Sequence, residues 1–176
     1  MKKLIFLIFF LIFSTNVNAG CDDPITAGVD YTKCKFSDGQ DLQGSYLPNS
    51  NLSFASFIQV NLDKSIMMNS NLAFGTFSES SFIRANLYES TLTGANFELS
   101  NFSSANLTRA DFMGATLIDV NFQNSNLMEA NFTSSNILNA NFEGANLIGA
   151  TWTNGEICGP DSVSYTHLTL PTNREV

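Results

Sequence analysis

The chain has 176 residues, with 44% hydrophobic and only 14% charged content: enough apolar material for one folded domain and too much for a disordered chain. Acidic residues outnumber basic ones 16 to 8, giving a formal net charge of -8. A surface of that sign repels nucleic-acid and membrane phosphates, which argues against nucleic acid as a ligand and favours a basic partner where a charged one is bound.

In chain order, Lys2 and Lys3 precede the apolar run Leu4 to Phe13, and a polar segment follows that ends in "VNAGC". This is the pattern of an export signal over residues 1–19, with Val17 and Ala19 fitting cleavage between Ala19 and Gly20. The apolar run is shorter than the ~20 residues that a bilayer-crossing helix needs, so no membrane span is expected. A competing reading takes "NAGC" as a lipidation site with a lipid anchor on Cys21. Asn18 stands where such sites carry Leu, and the apolar run ends well before the cysteine. The expected location is therefore periplasmic or secreted, with an envelope-anchored lipoprotein as the alternative.

Export to an oxidising compartment permits disulfides. Residues 20–41 read as an N-terminal cap, in which a Cys21–Cys34 bridge would contribute on the order of 3 kcal/mol by closing a short loop. Cys158 is then the odd cysteine, either a free thiol or one whose partner belongs to a native C-terminus absent from this sequence.

From Leu42 to Trp152 a large apolar residue returns at every fifth position without a gap, as Leu, Phe, Met, Ile or Trp. Neither regular element explains this step. Five residues of helix turn the side chain to a different face, and five residues of strand put it on the opposite one. If each five-residue unit forms one side of a square coil, four units close a turn and every central residue points to the axis. The residue two before the centre is Ala, Ser, Gly or Val from Ser45 to Ala150, as a crowded second inward position requires, and the residue just before the centre is most often Asn. Centres twenty apart then lie over one another. Phe82, Phe102, Phe122 and Phe142 form a stacked core ladder continuing Leu42 and Leu62, while Leu47, Met67 and Leu87 begin a column without aromatics.

The unit A-(D/N)-(L/F)-x-x resembles that of the pentapeptide-repeat family, over about two thirds of the chain. The resemblance implies an all-β, right-handed quadrilateral β-helix across residues 42–157, of about six coils spaced ~4.8 Å apart. It also identifies residues 158–162 as the start of a C-terminal cap, which in exported members carries a second disulfide. Residues 163–176, "VSYTHLTLPTNREV", abandon every earlier regularity and read as a translated sequencing adapter, a non-native tail that includes His167. An incomplete cap leaves an open end, so end-to-end self-association is expected.

Catalysis needs a nucleophile, base or metal constellation, and the repeat offers none, so no enzymatic activity, cofactor or metal is expected. Its acidic residues occupy outward positions, where Glu89, Arg109 and Glu129 would form a charge ladder. Contiguous exposed apolar area marks interfaces. The candidate interaction surface comprises Met68, Tyr88, Met128 and Ile148 on one side of the coil, with Phe54 and Phe74 on the adjacent one. The function expected is that of an exported, non-enzymatic solenoid, a rigid protein-interaction or structural module of the bacterial envelope with an unidentified protein partner. The alternative implied by the resemblance is an acidic rod that mimics DNA and binds a type II topoisomerase, against which the export signal argues.

Overall fold

The computed structural model describes Cys21 and residues 24–159. The export signal and the Ala19–Gly20 cleavage site expected from the sequence, and the tail after Ser162, lie outside the described residues.

Parallel bridges join residues twenty apart, from Asp41 with Asn61 to Asn131 with Thr151. Each unit supplies one bridge residue, one buried centre and a two-residue turn, and four units bring the chain back over itself. The first side holds the centres Leu42, Leu62 and Phe82, the second Leu47, Met67 and Leu87, the third Leu52, Leu72 and Leu92, and the fourth Phe57, Phe77 and Phe97. Hydrogen bonding explains why sides this short persist. The Asn61 N–H donates to Gln40 O in the coil before it at 2.9 Å, while Leu62 and Lys64 donate to Ser81 O and Ile83 O in the coil after it at 2.7 and 2.9 Å. Three N–H groups of each interior unit are thus paired between coils, as burial demands.

Each corner is closed by a bond such as Ala55 N–H to Leu52 O at 3.1 Å, with the residue before the donor held in the left-handed region. Phe54 (φ 58), Leu99 (φ 60) and Arg109 (φ 58) sit there although they are not glycine. That conformation costs about 1–2 kcal/mol per residue. It persists because each corner delivers two inward side chains and three inter-coil bonds.

The recurrent Asn before the centre has a specific use. The Asn51 side-chain oxygen accepts the Ser53 N–H at 3.2 Å, and the same Asx-type bond runs from Ser103 to Asn101 and from Gln123 to Asn121. The side-chain NH2 groups donate along the rod, Asn106 to Asn86 at 3.1 Å and Asn131 to Asp111 at 2.9 Å. Several serines at the small inward position satisfy their hydroxyls on a carbonyl, one coil back for Ser70 to Leu47 O and Ser90 to Met67 O at 2.6 and 2.7 Å, or in the same coil for Ser125 to Phe122 O at 2.7 Å. The Ser65 hydroxyl is buried without a partner among the described residues.

Phe82, Phe102, Phe122 and Phe142 stack at centroid distances of 4.5, 5.5 and 5.1 Å on the first side. A second column, Phe36, Phe57, Phe77 and Phe97, stacks at 4.1, 5.2 and 5.0 Å on the fourth. Edge contacts such as Phe97 to Phe102 at 5.2 Å join the two. Full burial of each ring stabilises the fold by about 1.5–3 kcal/mol.

At the N-terminal end a disulfide joins Cys21 to Cys34, with Cα atoms 5.3 Å apart. The cap pairs Asp30 with Asn51 and Lys35 with Ser56, an offset of twenty-one that absorbs the extra residue between Phe36 and Leu42. At the other end the chain doubles back: Thr151 pairs antiparallel with Ile157, Trp152 N–H donates to Glu156 O, and Gly149 N–H donates to Cys158 O. This turn covers the second and third sides. On the fourth and first sides the N–H groups of Ile137, Asn139, Phe142 and Gly144 meet no acceptor among the described residues. Ile137, a central position by its spacing, is accordingly only partly buried.

Candidate interaction surface

Outward positions carry any function this rod has, since the inward ones are occupied by packing. The corner between the third and fourth sides presents Phe54 and Phe74, each 55% exposed, with ring centroids 5.3 Å apart and planes at 18°. Their stacking follows from the register, which places residues twenty apart side by side. The ring of Phe74 continues over Gly94, where a Cβ would meet Cδ1 and Cε1 at 2.7 Å.

The row formed by Met68, Tyr88, Met128 and Ile148 differs. These residues are half-buried on the second side, immediately after the centre, and Thr108 interrupts them. Beside them Arg109 bridges two acids, with Nε 2.7 Å from Glu129 Oε2 and Nη1 3.2 Å from Glu89 Oε1. Tyr88 donates its hydroxyl proton to Glu89 Oε1 at 2.8 Å and accepts from Arg109 Nη1 at 3.2 Å. The Tyr88 hydroxyl, followed by Arg109, holds the Glu89 carboxyl below its ordinary range, and Glu129 and then Glu89 raise the already high pKa of Arg109. On this side Arg109 offsets one of the two carboxylate charges.

Further exposed apolar side chains were not singled out by sequence reasoning: Leu99 at 55%, Met113 at 44% and Leu138 at 59%. Their signal lies in the repeat itself, because each occupies one of the two positions after a centre. Cys158 is a half-buried thiol packed against the core. A hollow of about 500 Å³ opens at the base of the rod among Cys21, Ile25, Lys35, Phe36 and Gln40. Among the described residues no three His, Cys, Asp or Glu side chains converge to hold a metal, and no helix is long and apolar enough to cross a membrane.

Parallel four-sided coils with a filled axis and variable outward residues define a solenoid of the binding-scaffold kind. The sequence profile of pentapeptide repeats matches residues 41–72, 80–117 and 125–152, and the chain belongs to the pentapeptide-repeat family. Among solved structures it is similar to HetL, a pentapeptide repeat protein involved in heterocyst differentiation regulation from the cyanobacterium Nostoc sp. strain PCC 7120. That similarity has 22% identity and a TM-score of 0.57 over 74% of this chain and 71% of HetL. It is also similar to QnrB1, a plasmid-mediated fluoroquinolone resistance protein, with 21% identity and a TM-score of 0.60 over 71% of this chain and 63% of that one. At these identities the likeness establishes the quadrilateral β-helix and nothing further. No curated protein sequence matches the chain.

Proposed function

We propose that the protein is an exported, non-enzymatic scaffold of about six right-handed coils that presents a rigid surface to another protein in the bacterial envelope. The observation that carries this reading is the stacked pair Phe54 and Phe74, held more than half exposed on a backbone that is hydrogen-bonded on both sides. Each coil rests only on its neighbours, so outward residues vary without cost to the core. The sequence signal at residues 1–19 supports export.

The DNA-mimic alternative draws less support from this surface. Such a rod needs continuous negative charge, whereas Arg109 interrupts the acids of the second side and Lys64 and Arg84 line the corner after the first.

Two measurements test the proposal. Intact mass of the native gene product in soluble periplasmic and membrane fractions is expected to show a species beginning at Gly20; an uncleaved cytoplasmic chain would overturn export. A photo-crosslinking residue placed at outward positions on each of the four sides, in the producing cell, is expected to capture another protein from one side. Capture from none would remove the interaction reading.

A further inference from the structure

We infer that the fourth side of the rod, between the corner bearing Phe54 and Phe74 and the corner bearing Glu79 and Asp119, docks a cationic, apolar-bearing segment of another protein. This rests on the interaction-module reading and names the chemistry of its partner.

The four sides are not electrically alike. Within the repeat the bases are Lys64 and Arg84, on the corner after the first side, and Arg109, on the corner after the second. Within the repeat the fourth side and its far corner carry Glu79, Glu98 and Asp119 without a base, while in the cap below them Lys35 pairs with Ser56 on the fourth side and Lys33 precedes Phe54 on its corner. Glu79 accepts a hydrogen bond from the Gln59 amide at 2.8 Å, which leaves its charge in place. The contrast with the second side is direct, since there Arg109 stands between Glu89 and Glu129.

Exposed apolar area is concentrated on the same part of the rod. Phe54, Phe74, Leu99 and Leu138 flank or lie on the fourth side, each at least 55% exposed. Leu99 occupies its corner column between Glu79 and Asp119, about 4.8 Å from each along the rod. On the opposite corner the aromatic ridge ends at Gly94, and Gly114 beyond it has no atom near the position of a Cβ. The result is a shallow face with an aromatic wall, a notch at its end, and a second wall in which carboxylates bracket a leucine.

Two requirements follow from these walls. The uncompensated carboxylates raise the local concentration of cations and repel nucleic acid and anionic lipid. The phenyl and leucyl surfaces are stabilised by apolar contact, and the ring faces add a cation–π attraction for Lys or Arg. A small cation would leave the apolar walls uncovered, and a purely apolar partner would leave the carboxylates unmatched. A polypeptide that alternates Lys or Arg with apolar residues meets both. A second copy of this acidic chain does not.

The test uses the full chain, a synthetic peptide of alternating lysine and leucine as probe, and polylysine for comparison. Fluorescence anisotropy is expected to show tighter binding of the lysine–leucine peptide than of polylysine, weakening as salt is raised. The double variant Phe54→Asn/Phe74→Asn keeps the left-handed corners, where Asn49 and Asn69 already stand. It is expected to lose affinity about tenfold or more, as is the triple variant Glu79→Gln/Glu98→Gln/Asp119→Asn. Met68→Ser/Met128→Ser on the second side is expected to bind as the parent does, with thermal melts verifying that all variants fold. Equal binding of polylysine, or loss of binding only in the second-side variant, would overturn the inference. So would chain self-association abolished by the phenylalanine substitutions, which would make a second copy the occupant. In the crosslinking experiment, capture confined to another side removes this face but leaves the scaffold reading standing, whereas capture from no side removes both.

Discussion

Phe74 lies over Gly94, twenty residues further along the chain, so closely that a Cβ on the glycine would stand 2.7 Å from two ring carbons. Gly114, one rung beyond, has nearly the same φ, +65 against +64, but open space around it. Alanine at either position meets the left-handed strain, about 1–2 kcal/mol. Gly94→Ala must in addition displace a ring. It is therefore expected to destabilise the fold more than Gly114→Ala in urea unfolding, with the difference vanishing in a Phe74→Ala background. A difference that persists there would place its origin in the backbone.

Phe122 is fully buried between Phe102 and Phe142 and meets Phe112 and Phe132 edge-on at 5.7 and 6.0 Å. Phe122→Ala is expected to cost about 3–5 kcal/mol, because the neighbouring coils are fixed by their ladders and cannot collapse into the cavity. Phe54→Ala, at an exposed corner, is expected to cost under about 1 kcal/mol. Equal losses from the two substitutions, measured by denaturant unfolding, would contradict a continuous core.

Glu89 titrates below the ordinary carboxylate range, first through the Tyr88 hydroxyl and then through Arg109. A folded pKa below the unfolded value of about 4.3 gives stability that is present above that value and lost as pH falls through the folded one. Tyr88→Phe is expected to move the Glu89 carboxyl titration upward, followed by NMR, and the move should survive high salt. The upward move from Arg109→Gln should shrink in salt, because exposed charges are screened. A Tyr88→Phe titration curve identical to the parent's would assign the effect to Arg109 alone.

The five-residue period, the first-side phenylalanine column and the stacking of Glu89, Arg109 and Glu129 can all be read from spacing, because register alone decides which residues are neighbours. Phe57, Phe77 and Phe97 of the second aromatic column follow from the same spacing, and only Phe36 at its foot is displaced from the count, by the six-residue step to Leu42. The left-handed corners were hidden, because inter-coil bonding imposes them on Phe54, Leu99 and Arg109 whatever those residues prefer. The candidate row on the second side was located correctly in register but not in depth. A residue directly after a centre is half-covered by its own coil, and the next residue is the one that projects.

The Cys21–Cys34 bridge closes a separation of 13 residues around a cap in which Tyr31 meets Phe36 edge-on at 5.3 Å. Reduction is expected to cost on the order of 3 kcal/mol and to lower the melting temperature by roughly 6–12 °C. Cys34→Ser should melt at the reduced temperature with or without reductant. An unchanged melt on reduction would show that aromatic packing alone holds the cap.

The twenty-residue register also makes chain length a rotational coordinate. Removing or adding one unit of five residues within the repeat would turn everything beyond it by a quarter turn: a deletion between Phe74 and Leu99 would bring Leu99 and Asp119 onto the corner of Phe54 and Phe74, and an insertion there would carry them to the corner of Lys64 and Arg84. A change of twenty would lengthen or shorten the rod and leave each side's alignment intact. In such a molecule, insertions and deletions are steering events, and descendants that differ by single units would share a core while presenting their surface residues in new combinations.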